Sequence, residues 1–334
     1  MAAVANGGST TAVAKGSSEG PSTVIIGAGI IGSATAYYLA GSGNTRPESI
    51  HLVEASPELF ASASGKAGGF CVSDWFETAT ASLGSLSFRL HKELADRHDG
   101  FTNWGYSRST ATSFVEGRQL HTTSDDWLAE GGSRAQQAGE HFISDADGAP
   151  AWLTRGRGSR SEIIGDEGGV AQVLSQSLLR LSTSAGVKLH HPAKPTKIDT
   201  DEAGNITSVQ IQTPDGATQS IPCTRLLITA GAWTPSVFTT LFPSSKLRLG
   251  IQPLAGYSLV VKSPRWTREL ESKGCHAIFT SMQGGISPEI FSRVGEEIYV
   301  AGLNDAQLPL PELATDAKVD AASIAELRRI SEKF

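Results

Sequence analysis

The stretch Val24-Ile25-Ile26-Gly27-Ala28-Gly29-Ile30-Ile31-Gly32 decides the fold. Val24 to Ile26 is wholly apolar, as a parallel strand buried on both faces requires. A GxGxxG follows at once. Ile30 to Ala40 then has a helical pattern, with Gly41 and Gly43 as stops. Ser49 to Glu54 (SIHLVE) reads as the next strand, so residues 23–54 form a strand–helix–strand unit. In that setting Gly27 permits a tight turn, Gly29 lets a pyrophosphate approach the backbone, and Gly32 lets the helix close on the strand. The free N–H groups at the helix start, those of Ile30 and Ile31 among them, favour an anion together with the helix dipole. Glu54 ends the second strand, twenty-two positions after Gly32. A carboxylate there can accept from both ribose hydroxyls and repels a 2′-phosphate. A glycine-rich turn that binds nothing would share the glycines, but has no need of strand, helix and acid in this order.

The next residues bear on which dinucleotide is bound. A nicotinamide enzyme usually continues into another strand–helix–strand unit. This chain runs from Glu54 and Ala55 into Ala61-Ser62-Ala63-Ser64-Gly65-Lys66-Ala67-Gly68-Gly69-Phe70. Small residues at Ala67, Gly68 and Gly69 would let a loop pass under a pyrophosphate and along a flavin ring. Ser62, Ser64 and backbone N–H groups can donate to phosphate, and Lys66 adds charge. A slack Gly/Ser surface loop has the same composition, so this stretch alone leaves both readings open.

The 334 residues suffice for about two domains on the usual ~100–200 residues each. The net charge of -6 speaks against nucleic acid or an anionic membrane surface as the main partner. No apolar run approaches the ~18 residues of a membrane span. Three scattered cysteines, Cys71, Cys223 and Cys275, suggest no disulfide framework and a reducing, cytoplasmic setting. Residues 1–21 are small and polar without a targeting pattern, and read as a disordered tail. The adjacent pairs His190-His191 and Cys275-His276 lack metal-ligand spacing. The sequence carries no signal for an oligomeric state.

Downstream, Leu83, Leu86, Leu90 and Leu94 have helical spacing over 83–98, which predicts a packed helix. Residues 100–160 are weakly patterned, with Trp104, Trp127 and Trp152 as anchors of a separate lobe. An amphipathic helix is expected over 170–184. Strands are expected at 187–189, 196–198, 206–212 and 225–229 (RLLIT), the last entering Ala230-Gly231-Ala232-Trp233-Thr234-Pro235. Further strands fall at 256–261, 289–293 (EIFSR) and 297–301 (EIYVA), with a hairpin turn at 294–296, and a helix at about 321–333.

VIIGAGIIGSATAYYLA at 24–40, HLVEASP at 51–57, SASGKAGG at 62–69 and LLITAGAWTP at 226–235 together resemble the FAD-dependent oxidoreductases of the D-amino-acid oxidase superfamily. The SGKAGGF variant resembles a fungal and plant subgroup. The resemblance covers roughly residues 22–310. It implies an α/β fold: a Rossmann-like FAD-binding domain, and a discontinuous α+β substrate domain whose antiparallel sheet lies over the flavin. The expected segments are 22–75 and 160–235 for the FAD domain, 76–159 and 236–310 for the substrate domain, and a terminal helix in 311–334. Gly27, Gly29, Ile30, Ile31 and Gly32 then hold the pyrophosphate, with Glu54 and Ala55 at the ribose. Ser62, Lys66, Ala67, Gly68 and Gly69 form the loop near pyrophosphate and ring. Ile198 reaches adenine through its backbone, and Ala230, Gly231 and Trp233 form a second flavin-side loop. The implied substrate is a small-molecule amine or amino acid.

Two family features, an Arg-containing strand that grips a substrate carboxylate and a Gly-rich helix start that caps the flavin, do not appear before Phe334. Arg293, with Tyr257 as a polar neighbour, is a substitute candidate for the first. The plain alternatives are a solvent-facing strand Arg and a half-buried Tyr. Three functions follow: a flavin-dependent amine or amino-acid oxidoreductase, a non-catalytic flavin-binding or interaction protein, or an NAD-dependent dehydrogenase.

Overall fold

A computed structural model describes residues 20–116, 149–154, 159–282 and 287–334, the side chains of 166 and 167 apart. The expected tail up to residue 19 and the expected anchor Trp127 lie outside these residues.

The first sheet is parallel, in the order β10-β1-β2-β6: Arg225–Ile228, Thr23–Ile26, Ile50–Val53 and Lys188–His190. β1 and β2 are buried at every position, because the sheet is covered on both faces. On one face, helix α1 (Ile30–Gly41) packs against a second helix, Leu174–Ser184. On the other lies a three-stranded antiparallel sheet, β7 (Lys194–Thr200), β8 (Ile206–Gln212) and β9 (Thr218–Pro222). Its Val209, Ile211 and Ile221 share a core with Val24, Ile26 and Val53. The chain thus leaves the first sheet at β6, makes this small sheet, and returns at β10.

The second large sheet has seven strands in the order β11-β14-β13-β12-β4-β5-β3. They are Ala255–Lys262, Glu297–Asp305, Glu289–Arg293, Cys275–Ser281, Ser107–Glu116, Ser159–Val170 and Phe70–Cys71. It is mixed rather than purely antiparallel, since β12 and β4 run parallel. β4 and the first two residues of β5 fall in the weakly patterned region. Trp104 and Trp152 are buried as expected, and β4, which follows Trp104, lies inside this sheet between β12 and β5. Residues 160–170, assigned by sequence to the cofactor domain, belong here as well.

The helix expected from Val170 begins only at Leu174. Gly168, Gly169 and Val170 are strand residues paired with Ser107–Ser109 and with Phe70–Cys71. A Cβ at Gly168 would fall 2.7 Å from the Phe70 ring, and one at Gly169 3.2 Å from Tyr106. The glycines there admit two aromatic rings, a demand that local helical periodicity does not register. Helix α3 (Ala81–His98; α2 is Ala63–Lys66) forms as predicted and buries Gly84, Leu94 and Ala95, while Leu83 is 65% exposed.

Register sorts the second sheet into two faces. Directly opposed residues share a face, so Val260, Tyr299 and Phe291 lie on one side with Glu297 and Arg293. Tyr257, Leu259, Val300 and Ile290 lie on the other, over the core built with Leu327 and Ile330 of the last helix, Ala321–Ser331. Asp320 caps that helix by accepting from the Ser323 N–H at 2.7 Å.

Candidate cofactor and active site

At the carboxyl end of β1 the fingerprint is tightly locked. Gly27 has φ +103°, and a Cβ on it would lie 2.6 Å from the Thr229 carbonyl oxygen. Thr229 follows β10. Its N–H donates to the Ile26 carbonyl at 2.7 Å, and its hydroxyl lies 2.9 Å from the Gly27 carbonyl. A Cβ on Gly32 would meet the Gly27 oxygen at 1.9 Å, so the helix can sit this close to the strand only without one. Gly29 N-caps α1 with no side-chain cap. The Ile30 N–H donates to Ser64 Oγ at 2.9 Å, and the Ile31 and Gly32 N–H groups follow in the same open first turn. Ile31's side chain points away and is 64% exposed, so what it offers at this mouth is its backbone.

Glu54 stands beside that turn. One carboxylate oxygen accepts from the Ala28 N–H at 3.0 Å and the other from the Ser56 N–H at 2.8 Å. This orients the carboxylate and leaves each oxygen a further lone pair. Glu54's backbone bonds on both sides, to the His190 carbonyl and from the Ala193 N–H. Ala55 follows, between Glu54 and the Ser56 N–H that bonds its carboxylate. Ile198 packs its side chain on the core beneath β7, which pairs with β8 and is an edge strand among the described residues.

The stretch Ser62 to Gly69 is pinned along its length. Ser62 caps the short helix α2, and its carbonyl accepts from Gly65 and Lys66. Ser64 reaches α1 as described. The Lys66 carbonyl accepts from the Tyr299 hydroxyl at 2.9 Å, while its ammonium end is exposed. A Cβ on Gly68 would lie 2.3 Å from Phe291 and 2.8 Å from Tyr299; one on Gly69, at φ +88°, would lie 2.1 Å from the Ala171 oxygen. Ala67, between them, is exposed. The segment is therefore a wall between the mouth of α1 and the aromatic face of the second sheet. Phe70, Trp75, Phe279, Phe291 and Tyr299 extend that face as a run of rings with centroids 5.3–5.9 Å apart.

The second loop, Ala230 to Trp233, abuts Gly27 through Ala230, and Gly231 turns at φ +53°. Trp233 is occupied elsewhere, its indole N–H donating to the Pro311 carbonyl at 2.7 Å. Arg293 and Tyr257 are not neighbours across one surface, because the register puts them on opposite faces. Arg293 is no solvent-facing strand residue: it is 8% exposed, and burial lowers its pKa. Behind the wall, Cys71 Sγ lies 3.9 Å from His91 Nδ1. Burial pushes the thiol up to about 11 and the imidazole down, so the pair is neutral, without an activated thiolate.

Thr229, Phe291 and Tyr299 were missing from the sequence-derived set. Thr229 begins the TAGAW motif, and its role needed only the pairing of β10 with β1. Tyr299 and Phe291 are separated from the wall by more than two hundred residues, and only the strand register brings them to it.

A parallel sheet with a glycine-lined helix mouth, an acid held beside that mouth by two backbone N–H groups, and a second sheet against the wall define an α/β protein with a dinucleotide-binding fold. The chain belongs to the FAD dependent oxidoreductase (DAO) family, whose model matches residues 22–334. It is similar to the protein named "Putative oxidoreductase C1F5.03c" of Schizosaccharomyces pombe, at 27% identity over 93% of this chain and 77% of that one. A shorter stretch, 27% of this chain and 17% of the relative, is 44% identical to "Putative oxidoreductase TDA3" of Saccharomyces cerevisiae. In fold it is similar to glycine oxidase from Bacillus cereus (TM-score 0.67, 17% identity, 94% of this chain and 78% of that one). It is likewise similar to L-proline dehydrogenase from P. horikoshii (TM-score 0.67, 13% identity, 94% and 76%).

The family's cofactor is FAD, and the residues present fit it. The α1 mouth offers N–H groups to a pyrophosphate, the glycines leave no Cβ in its way, and Glu54 keeps lone pairs for ribose hydroxyls. Among the described residues no helix is long and apolar enough to cross a membrane.

Proposed function

We propose that the chain oxidises the C–N bond of a small amine or amino acid, with FAD as the hydride acceptor. The supporting observation is the wall Ser62–Gly69, held between the α1 mouth and the aromatic face of the second sheet. In this reading Gly27, Gly29, Gly32 and the Ile30 and Ile31 amides carry the pyrophosphate. Glu54 and Ala55 hold the ribose, the β7 backbone at Ile198 meets adenine, and Ser62, Lys66, Ala67, Gly68 and Gly69 line pyrophosphate and ring beside Ala230 and Gly231. Trp233 acts at one remove, by fixing that second loop. Bound FAD supplies the electron sink. The protein's part is to orient the substrate C–H, exclude water with the aromatic face, and leave the amine unprotonated for transfer. Amine or amino-acid substrates also fit fold relatives named as glycine oxidase, iminodiacetate oxidase and L-proline dehydrogenase.

The test is anaerobic titration of the FAD-loaded protein with glycine, N-methylated glycines, proline and simple primary amines, followed by visible flavin absorbance. Bleaching by a member of this set, with release of the matching imine-derived carbonyl, is expected. A flavin that dithionite reduces but no amine or amino acid does would contradict the reading, and would favour a flavin-binding protein without this chemistry.

A further inference from the structure

Arg293 carries a charge that the described fold does not pair. It is 8% exposed, its Nε has no hydrogen-bond partner, and no carboxylate lies within ion-pair distance of it among the described residues. Two acids share its sheet face, Glu297 opposite it on β14 and Glu289 at the far end of its own strand. A buried guanidinium without a counter-ion is costly. Its contact is with Tyr299: the guanidinium carbon stands 5.5 Å from the ring centroid. That ring stacks on Phe291 at 16°, and both rings back Gly68. The Tyr299 hydroxyl donates to the Lys66 carbonyl at 2.9 Å. One continuous path therefore runs from an unpaired buried cation, through one ring, to the loop wall.

We propose that Arg293, acting through Tyr299, is a positioning residue that fixes the wall and sets the electron affinity of the flavin that the wall lines. The inference rests on the reading that Ser62–Gly69 lines FAD. A positive charge held in a water-poor layer behind the wall favours the negative charge that the flavin gains on reduction, and so raises its reduction potential. Glu297, on the same face, opposes this.

Potentiometric titration of the FAD-loaded protein tests it. Arg293→Met should shift the ratio of reduced to oxidised affinity at least tenfold against reduction, about 30 mV lower for a two-electron couple. Arg293→Lys should retain most of the wild-type potential. Glu297→Gln, at a half-buried position opposite Arg293, should shift it the opposite way. Tyr299→Phe should weaken FAD binding several-fold by freeing the Lys66 carbonyl. A charge with a purely structural role would move melting temperatures and leave potentials alone. The proposal is overturned if Arg293→Met and Glu297→Gln bind FAD at the wild-type potential. Should Arg293→Met not fold, an unchanged potential in Glu297→Gln overturns it by itself. Absence of FAD binding by the wild type would instead remove the underlying reading of the wall.

Discussion

At the scale of single residues, the fingerprint is governed by the absence of atoms. Gly32 illustrates this: a Cβ would stand 1.9 Å from a backbone carbonyl, which cannot swing aside as a side chain can. Gly32→Ala should therefore push α1 off β1, costing about 1–3 kcal/mol in denaturant melts and weakening FAD binding at least tenfold. This was legible in the sequence because GxGxxG is a statement about space. Tyr299 was not legible, because a strand Tyr looks the same whether it backs a loop or faces water. Histidines give a second residue-scale prediction. His51 Nδ1 lies 3.0 Å from His190 Nε2, and burial with that neighbour pushes His51 down to about 4; burial does the same to His276. Their folded pKa values lie below the unfolded value near 6.5, so the unfolded chain binds more protons between pH 6.5 and 4. Stability is then full above about pH 6.5 and falls as pH drops towards 4. Chemical melts at pH 7 and pH 5 should show the loss, and His51→Gln should reduce it; a pH-independent midpoint would contradict the assignment.

At the scale of elements, sequence patterns read the strands of the first sheet and β11, β13 and β14 of the second well, and missed β4, β5 and β12. β1 and β2 are short apolar runs between turn residues, and parallel burial leaves no other option. β4 and β5 are rich in Ser, Thr, Gly and charge, and are strands because β12 and β3 pair with them; the pairing lies far away in sequence. The same holds for Trp233. Its motif places it at a cofactor loop, whereas its indole N–H holds Pro311, in the segment that returns from β14, at 2.7 Å. A second tie from that segment, Glu312 to Lys194, is exposed and contributes little. Trp233→Phe keeps the ring and removes the N–H, so it should cost about 1 kcal/mol in thermal or chemical melts. It should raise the FAD dissociation constant only modestly, since the loop is still tied to Gly27 through Thr229. A loss of binding as large as that of Gly32→Ala would mean that the indole touches the cofactor itself.

At the scale of the whole molecule, the two large sheets meet along Ser62–Gly69, and the stretch is one structural unit with both. Its small residues have separate reasons. Gly68 clears two rings, Gly69 clears a carbonyl, and Ser64 completes the helix mouth. The fingerprint geometry was readable from sequence because its requirements are local. The faces of the second sheet were not, because they are set by the register of β11 to β14, which also separates Tyr257 from Arg293. The most direct measurement of the central claim is an equilibrium titration of the apoprotein with FAD, followed by flavin fluorescence, on the wild type and on Gly29→Val. A valine there would meet Ser64 Oγ, 3.0 Å from its Cβ, and fill the approach to the α1 amides. The account predicts saturation at about one FAD per chain in the wild type and at least tenfold weaker binding in Gly29→Val, as the helix-mouth geometry requires. A folded wild-type chain that takes up no FAD, or a valine variant that binds it equally well, would contradict it.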